Sequence, residues 1–203
     1  MTSTDPRPAR PATVTTAFVL ALIVAAVNLL SVLLGWIRLG GQLDAIDELV
    51  SSRGRGSSAG LDSDADALTS GYVIGVVFAS FVLLAFTVSY LINGMLAAAG
   101  KQVSRILLWV TATLDLCYFG CSTVLAGAPT DAELSNGGTI SSAELGDAIA
   151  ESEPGWLSLI QIPATVLWAG CLLALIATLA APSANRYFRP AAPQPPMMPP
   201  AVR

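Results

Sequence analysis

The sequence predicts an all-α fold: a four-helix transmembrane bundle with two extracytoplasmic loops. Three observations carry this. Of 203 residues, 54% are hydrophobic and only 12% charged, whereas soluble domains carry about 25% charged residues. Four apolar runs, 14–37, 71–98, 106–126 and 156–181, each reach the ~20 residues a helix needs to cross a ~30 Å hydrocarbon core. Alternating strands of about ten residues, the mark of a membrane barrel, are absent. Helices are then the solution that satisfies the backbone in lipid.

Taken in order, residues 1–12 are rich in Pro and Arg and are expected to be a disordered cytoplasmic N-terminus. The transmembrane domain follows over 13–182. Its first run is too long for a signal-peptide core and lacks a small-x-small cleavage site, so it is expected to be a retained span. Trp36 anchors its end at the interface. In the first outer loop, Leu43, Ile46 and Val50 recur at helical spacing and predict a short amphipathic helix. SSRGRGSSAG reads as flexible linker. Ser63 and Asp66 form a capping-box pattern that opens the second helix. Gly71, Gly75 and Ala79 in that helix read as a close contact within the bundle rather than a homodimer face.

Residues 100–104 make a short hairpin to the third span. The second outer loop, 127–155, carries another capping box at Ser141 and Glu144, with Leu145 and Ile149 on one helical edge. Pro154 ends that helix and Trp156 anchors the fourth span. The tail, 183–203, ends in RPAAPQPPMMPPAVR and favours extended polyproline II on the cytoplasmic side. No strong internal repeat links the two halves.

Charge placement orients the spans. With both termini cytoplasmic, Arg7, Arg10, Lys101, Arg105, Arg186, Arg189 and Arg203 lie inside, seven of the ten basic residues. The positive-inside rule favours this arrangement in a plasma-membrane, multi-pass protein. Twelve of fourteen acids fall in the two outer loops and make an outward field that repels anions.

Several function classes are disfavoured. The chain has no histidine, which removes the commonest metal ligand and acid–base catalyst. Asp62, Asp64 and Asp66 resemble the start of a calcium loop, but Ala67 and Val73 stand where that loop needs Gly and Glu. There is no phosphate-binding loop, no Ser–His pair and no basic stripe for nucleic acid. No enzyme activity, cofactor or metal is expected.

The segment TATLDLCYFGCST, 111–123, raises the sharpest question, since it places an acid and two thiols inside an apolar run. At 100° per residue, Ser104, Leu108, Thr111, Asp115, Tyr118 and Ser122 share an arc of about 80°. Cys117 and Cys121 lie about 160° and 120° from Asp115, so thiols and acid do not share a face. Cysteines on a small apolar face read as packing residues. Asp115 sits near the bilayer midplane, where an acid costs roughly 2.5–3.5 kcal/mol on insertion scales. It is expected to face the bundle interior. No basic residue lies at comparable depth, so neutral partners are expected: Asn28, Ser31, Tyr118, Gln161 or Thr165. The candidate intramembrane polar site is therefore Asp115, Asn28, Tyr118, Thr111 and Ser122. It reads first as an interhelical hydrogen bond that fixes the bundle.

Three stretches together resemble a family. RPATVTTA, from Arg10, enters the first span; GKQVSRIL, from Gly100, forms the hairpin; and ANRYFRP, from Ala184, follows the last span. They resemble small four-span actinobacterial membrane proteins of uncharacterised function. Family members carry Trp and Ala where this chain has Val103 and Ser104. The resemblance covers the spans and the inner surface. It implies a topology and no catalytic residues.

The function expected is that of a non-enzymatic interaction or scaffold protein of the cell envelope. Its partners would be the lipid bilayer and other membrane or envelope proteins, not nucleic acid. The alternative is a small transporter or channel subunit with Asp115 as a proton or cation relay.

Overall fold

The structure, a computed structural model, describes residues 12–53, 61–126, 131–133 and 139–182. Most of the linker, the N-terminal eleven residues and the tail lie outside the described residues. The elements are α1 (Ala12–Arg53), α2 (Leu61–Ala98), α3 (Gln102–Ala126), β1 (Asp131–Glu133), β2 (Thr139–Ser141), α4 (Ser142–Ser152) and α5 (Gly155–Ala180). Four of them, α1, α2, α3 and α5, are long and apolar enough to cross a membrane. The fold is an all-α bundle.

Its core follows from spacing. On α1 the buried positions Val14, Ala17, Ala21, Val24 and Asn28 alternate steps of three and four. This is the stripe that a helix presents to close neighbours in a bundle. Leu108 and Ala112 of α3, Tyr90 of α2, and Trp168, Leu172 and Leu175 of α5 close on it. Large apolar side chains face outward instead: Phe81 is 71% exposed, Val166 68% and Leu159 76%. Such a belt is costly in water and at home in lipid, where helix association rests on packing and hydrogen bonds.

The turn between α2 and α3 is fixed by Gly100, whose φ is 81°. Its N–H donates to the Ala97 carbonyl at 2.9 Å, and that of Lys101 to Leu96 at 3.1 Å. These two bonds make a Schellman cap, which needs a left-handed residue at its turn. At the same end, Arg105 donates to the Leu179 carbonyl. A cation thereby meets the last turn of α5, where carbonyls lack helical partners.

The far end differs from the sequence expectation. Leu43, Ile46 and Val50 do not form a separate helix; they are the last turns of α1, which runs unbroken through Gly40 and Gly41. Residues 51–53 of the expected linker are helical too, and α2 starts at Leu61, ahead of the capping pattern at Ser63. The reason is that Gln42, Ile46 and Val50 extend the buried stripe of α1 by four-residue steps. Tertiary packing there outweighs the ~1 kcal/mol that each helical Gly costs. Val50 and Ile140 pack with Leu49, Ala65, Leu68 and Leu145 in a small second core. The antiparallel ribbon pairs Ala132 with Ile140, and the Ser141–Glu144 capping box starts α4. α1, α2, the ribbon and α4 thus form a folded head at one end of the bundle.

The small-residue series is also placed differently. Gly71 and Gly75 are exposed, and a Cβ on either would meet nothing within 4 Å. The glycine at a close helix approach is Gly94, where a Cβ would lie 3.4 Å from Cδ2 of Phe18. Gly71→Ala and Gly75→Ala are therefore expected to be neutral, or to stabilise by up to about 1 kcal/mol. Gly100→Val is expected to cost about 1–2 kcal/mol through its left-handed backbone. Unfolding in mixed micelles checks the contrast.

Candidate functional site

Asp115 is wholly buried. One carboxylate oxygen, Oδ2, accepts from Asn28 Nδ2 at 3.2 Å and from the Tyr90 hydroxyl at 3.0 Å. Asn28 comes from α1 and Tyr90 from α2, so the acid ties three helices at one point. Its other oxygen, Oδ1, has no hydrogen-bond partner among the described residues. The buried Trp168 lines the same cleft as Asp115.

The other expected members of the site are dispersed. Thr111 pairs with Ser89 across α2 and α3 at 2.8 Å, one turn from Asp115. Asn93 donates to the same Ser89 hydroxyl at 3.1 Å. Tyr118 is half-buried and packs edge-on against Phe86 with ring centroids 6.2 Å apart. Ser122 is exposed and donates to the Phe119 carbonyl of its own helix. Ser31 likewise donates to its own backbone, at Val27. The polar stripe of α3 is thus buried from Ser104 to Asp115 and opens beyond it.

It opens into a cleft of about 270 Å³ between α1, α2, α3 and α5. Asp115 lines one end, and Arg38 stands on the same cleft toward the head. Ten residues separate Asn28 from Arg38, a rise of about 15 Å along α1. Arg38 thus shares the cleft but not the depth of Asp115; its side chain bends back one turn, toward the Leu34 carbonyl. Its guanidinium nitrogen Nη1 donates to Glu153 at 2.9 Å and to Gln161 at 2.8 Å, and its Nε to the Leu34 carbonyl at 3.3 Å. Gln42 adds a bond to the same Glu153 oxygen at 3.1 Å and accepts one from Tyr72 at 2.7 Å. Arg38 and Glu153 therefore neutralise each other where head and bundle meet.

Tyr90 and Arg38 are the residues that sequence reasoning missed. A signal for the first exists: Thr87, Tyr90 and Asn93 recur every three residues on α2, and all are buried.

The thiols do not share one environment. Cys117 and Cys121 are exposed, while Cys171 is buried, and none is in a disulfide. Only Cys171 packs in the core; the other two turn away from it, against the expectation that they pack inside. Among the described residues, no group of three or more Cys, Asp or Glu could hold a metal ion. Replacing Cys117 and Cys121 by Ser and Cys171 by Ala is expected to leave a folded protein, with a loss near 1 kcal/mol from the one core methylene-sized change. Thermal unfolding in detergent measures it.

No family model, curated protein or solved structure matches the chain. The site geometry alone bears on function.

Proposed function

We propose that the chain is a non-enzymatic interaction or scaffold protein of the cell envelope, a multi-pass protein of the plasma membrane with both termini cytoplasmic. The observation that carries the reading is the folded head. Its small core and the Arg38–Glu153 junction give it a defined surface rather than a pair of loose loops. Exposed acids stud that surface: Asp44, Asp47 and Glu48 on α1, Asp66 on α2, Asp147 and Glu151 on α4. A partner with a basic face complements it, through an attraction that steers association and weakens with salt. The orientation rests on the seven basic residues assigned to the cytoplasmic side. The resemblance to four-span actinobacterial membrane proteins belongs to the same proposal and adds no activity.

Photo-crosslinking residues placed at Asp47 or Asp147 in native membranes are expected to give a discrete protein adduct that high salt suppresses. A reporter active only outside the membrane is expected to be silent after Arg203 and active when inserted at Gly56. Activity only after Arg203, or no adduct from any head position, contradicts the reading.

A second reading, a small transporter or channel subunit with Asp115 as a proton or cation relay, is favoured by the cleft that reaches the acid. Intramembrane acids commonly mark such paths. It expects cation or proton flux in proteoliposomes that Asp115→Asn abolishes.

A further inference from the structure

We infer that the junction of head and bundle binds the headgroup of one phosphatidylethanolamine molecule from the adjoining leaflet. The inference goes beyond the scaffold reading and needs only the four spanning helices. The Arg38–Glu153 ion pair uses one atom of each partner, Nη1 and Oε1. Nη1 also serves Gln161, Nε serves the Leu34 carbonyl, and Oε1 also accepts from Gln42. That leaves Nη2 of Arg38 and Oε2 of Glu153 with no hydrogen-bond partner among the described residues. Both keep accessible surface, since the one buried side-chain polar atom without a partner there is Oδ1 of Asp115. Arg38 and Glu153 together line a cavity of about 140 Å³, with Ile37, Ser152, Pro154 and Trp156 around them. The space suits a headgroup, not a whole lipid.

The surroundings of this cavity are polarised. α4 ends at Ser152 and α5 begins at Gly155, so a helix C-terminus and a helix N-terminus meet at its edge. Partial negative charge gathers at the first and partial positive charge at the second. Pro154, the N-cap of α5, supplies no side-chain cap, and a phosphate is a suitable partner for such an end. Glu153 adds a full negative charge and Arg38 a full positive one. A ligand that carries a phosphate and an ammonium a few bonds apart complements both. An anionic headgroup without an ammonium meets the Glu153 carboxylate unopposed, and a lone cation meets Arg38. A primary ammonium donates to Oε2 in a charge-assisted bond, whereas a trimethylated one has no N–H to give.

The depth of the cavity selects a lipid over a soluble zwitterion. Trp36 and Trp156 are both exposed beside it, and tryptophan favours the headgroup level of a bilayer. From there toward the middle of the bundle, Ile37 and Leu33 of α1 and Leu159 of α5 are exposed apolar side chains, a surface for acyl chains.

The test uses the full chain in detergent micelles, with dioleoyl phosphatidylethanolamine, phosphatidylcholine and phosphatidylglycerol titrated one at a time. Native mass spectrometry is expected to show one phosphatidylethanolamine retained per chain, with the other two lipids about tenfold weaker or more, the scale of a hydrogen bond to a charged group. Glycerophosphoethanolamine, the same headgroup without chains, should not displace it at equal concentration. Glu153→Gln should bring phosphatidylethanolamine down to the level of phosphatidylcholine. Gly41→Leu is a second variant, because Gly41 also lines the cavity and a Cβ there meets only the Ser152 carbonyl, at 3.8 Å. It leaves the ion pair in place, should unfold no earlier than wild type, and should abolish retention of the lipid. Equal retention of the three lipids, or undiminished retention by folded Gly41→Leu, overturns the inference. Displacement by glycerophosphoethanolamine at equal concentration overturns the lipid as its source. Lipid retention carries this inference and crosslinking carries the scaffold reading, so each can fail while the other stands.

Discussion

Arg38→Ala is expected to loosen the head from the bundle and to destabilise the protein by about 2 kcal/mol. The side chains of Arg38 and Glu153 are 16% and 23% exposed. Removing one partner of a fully buried pair costs about 3–5 kcal/mol, because the remaining charge is stranded. Partial access to solvent reduces that figure. Gln42 stays bonded to Glu153 in the variant and offsets a little more. Arg38→Lys keeps the charge but not the planar fork that reaches Glu153 and Gln161 from one nitrogen while Nε holds Leu34. It should lose about half as much. Arg38→Ala combined with Glu153→Ala should be milder than the sum of the two single changes. Chemical unfolding in mixed micelles, followed with a head-specific label, measures all three. Strict additivity would show that the two groups act independently.

Asp115→Leu is expected to cost about 2 kcal/mol, while Asp115→Asn costs less than about 1 kcal/mol. Leucine strands Asn28 Nδ2 and the Tyr90 hydroxyl, both buried at the meeting of three helices. A buried donor left without a partner costs about 1–3 kcal/mol in water-soluble proteins. In membranes the unfolded helices find substitutes, which lowers the net effect per bond. Relief from burying the acid itself works in the same direction. Asparagine keeps an acceptor for both donors. Tyr90→Phe should reproduce part of the leucine effect, and combining it with Asp115→Leu should add almost nothing, since the bond is already gone. Helix dissociation in a detergent titration separates these outcomes. Equal stability of the Asn and Leu variants would deny the bond a structural role.

The legibility of this molecule in its sequence divides along a physical line. Spanning helices announce themselves locally, through length and hydropathy, and so the four apolar runs correspond to α1, α2, α3 and α5. The head depends on contacts between distant segments. Ile140 joins Val50 across ninety residues of chain, and nothing in QLDAIDELV distinguishes the end of a long helix from a short separate one. At the site, helical periodicity was enough to put Thr111 and Asp115 on one face of α3, and Asn28 was named from its depth. Tyr90 escaped because a tyrosine in an apolar run looks like an aromatic lipid contact. Arg38 escaped because a base beyond Trp36 reads as a loop residue, while its flexible stem lets the charge turn back toward Gln161. Gly71 and Gly75 misled for the converse reason: small residues permit close packing but do not require it.

The most direct test is the contact between Asp115 and Asn28 in a lipid bilayer. Solid-state NMR on protein carrying ¹³C in its aspartate carboxyls and ¹⁵N in its asparagine side-chain amides reads it. A carboxyl carbon is expected to couple to an amide nitrogen as a 3.2 Å oxygen–nitrogen contact requires, and this signal should vanish in Asp115→Leu. A carboxyl signal for Asp115 with no coupling to any asparagine amide would contradict the three-helix junction at Asp115 and the cleft built on it.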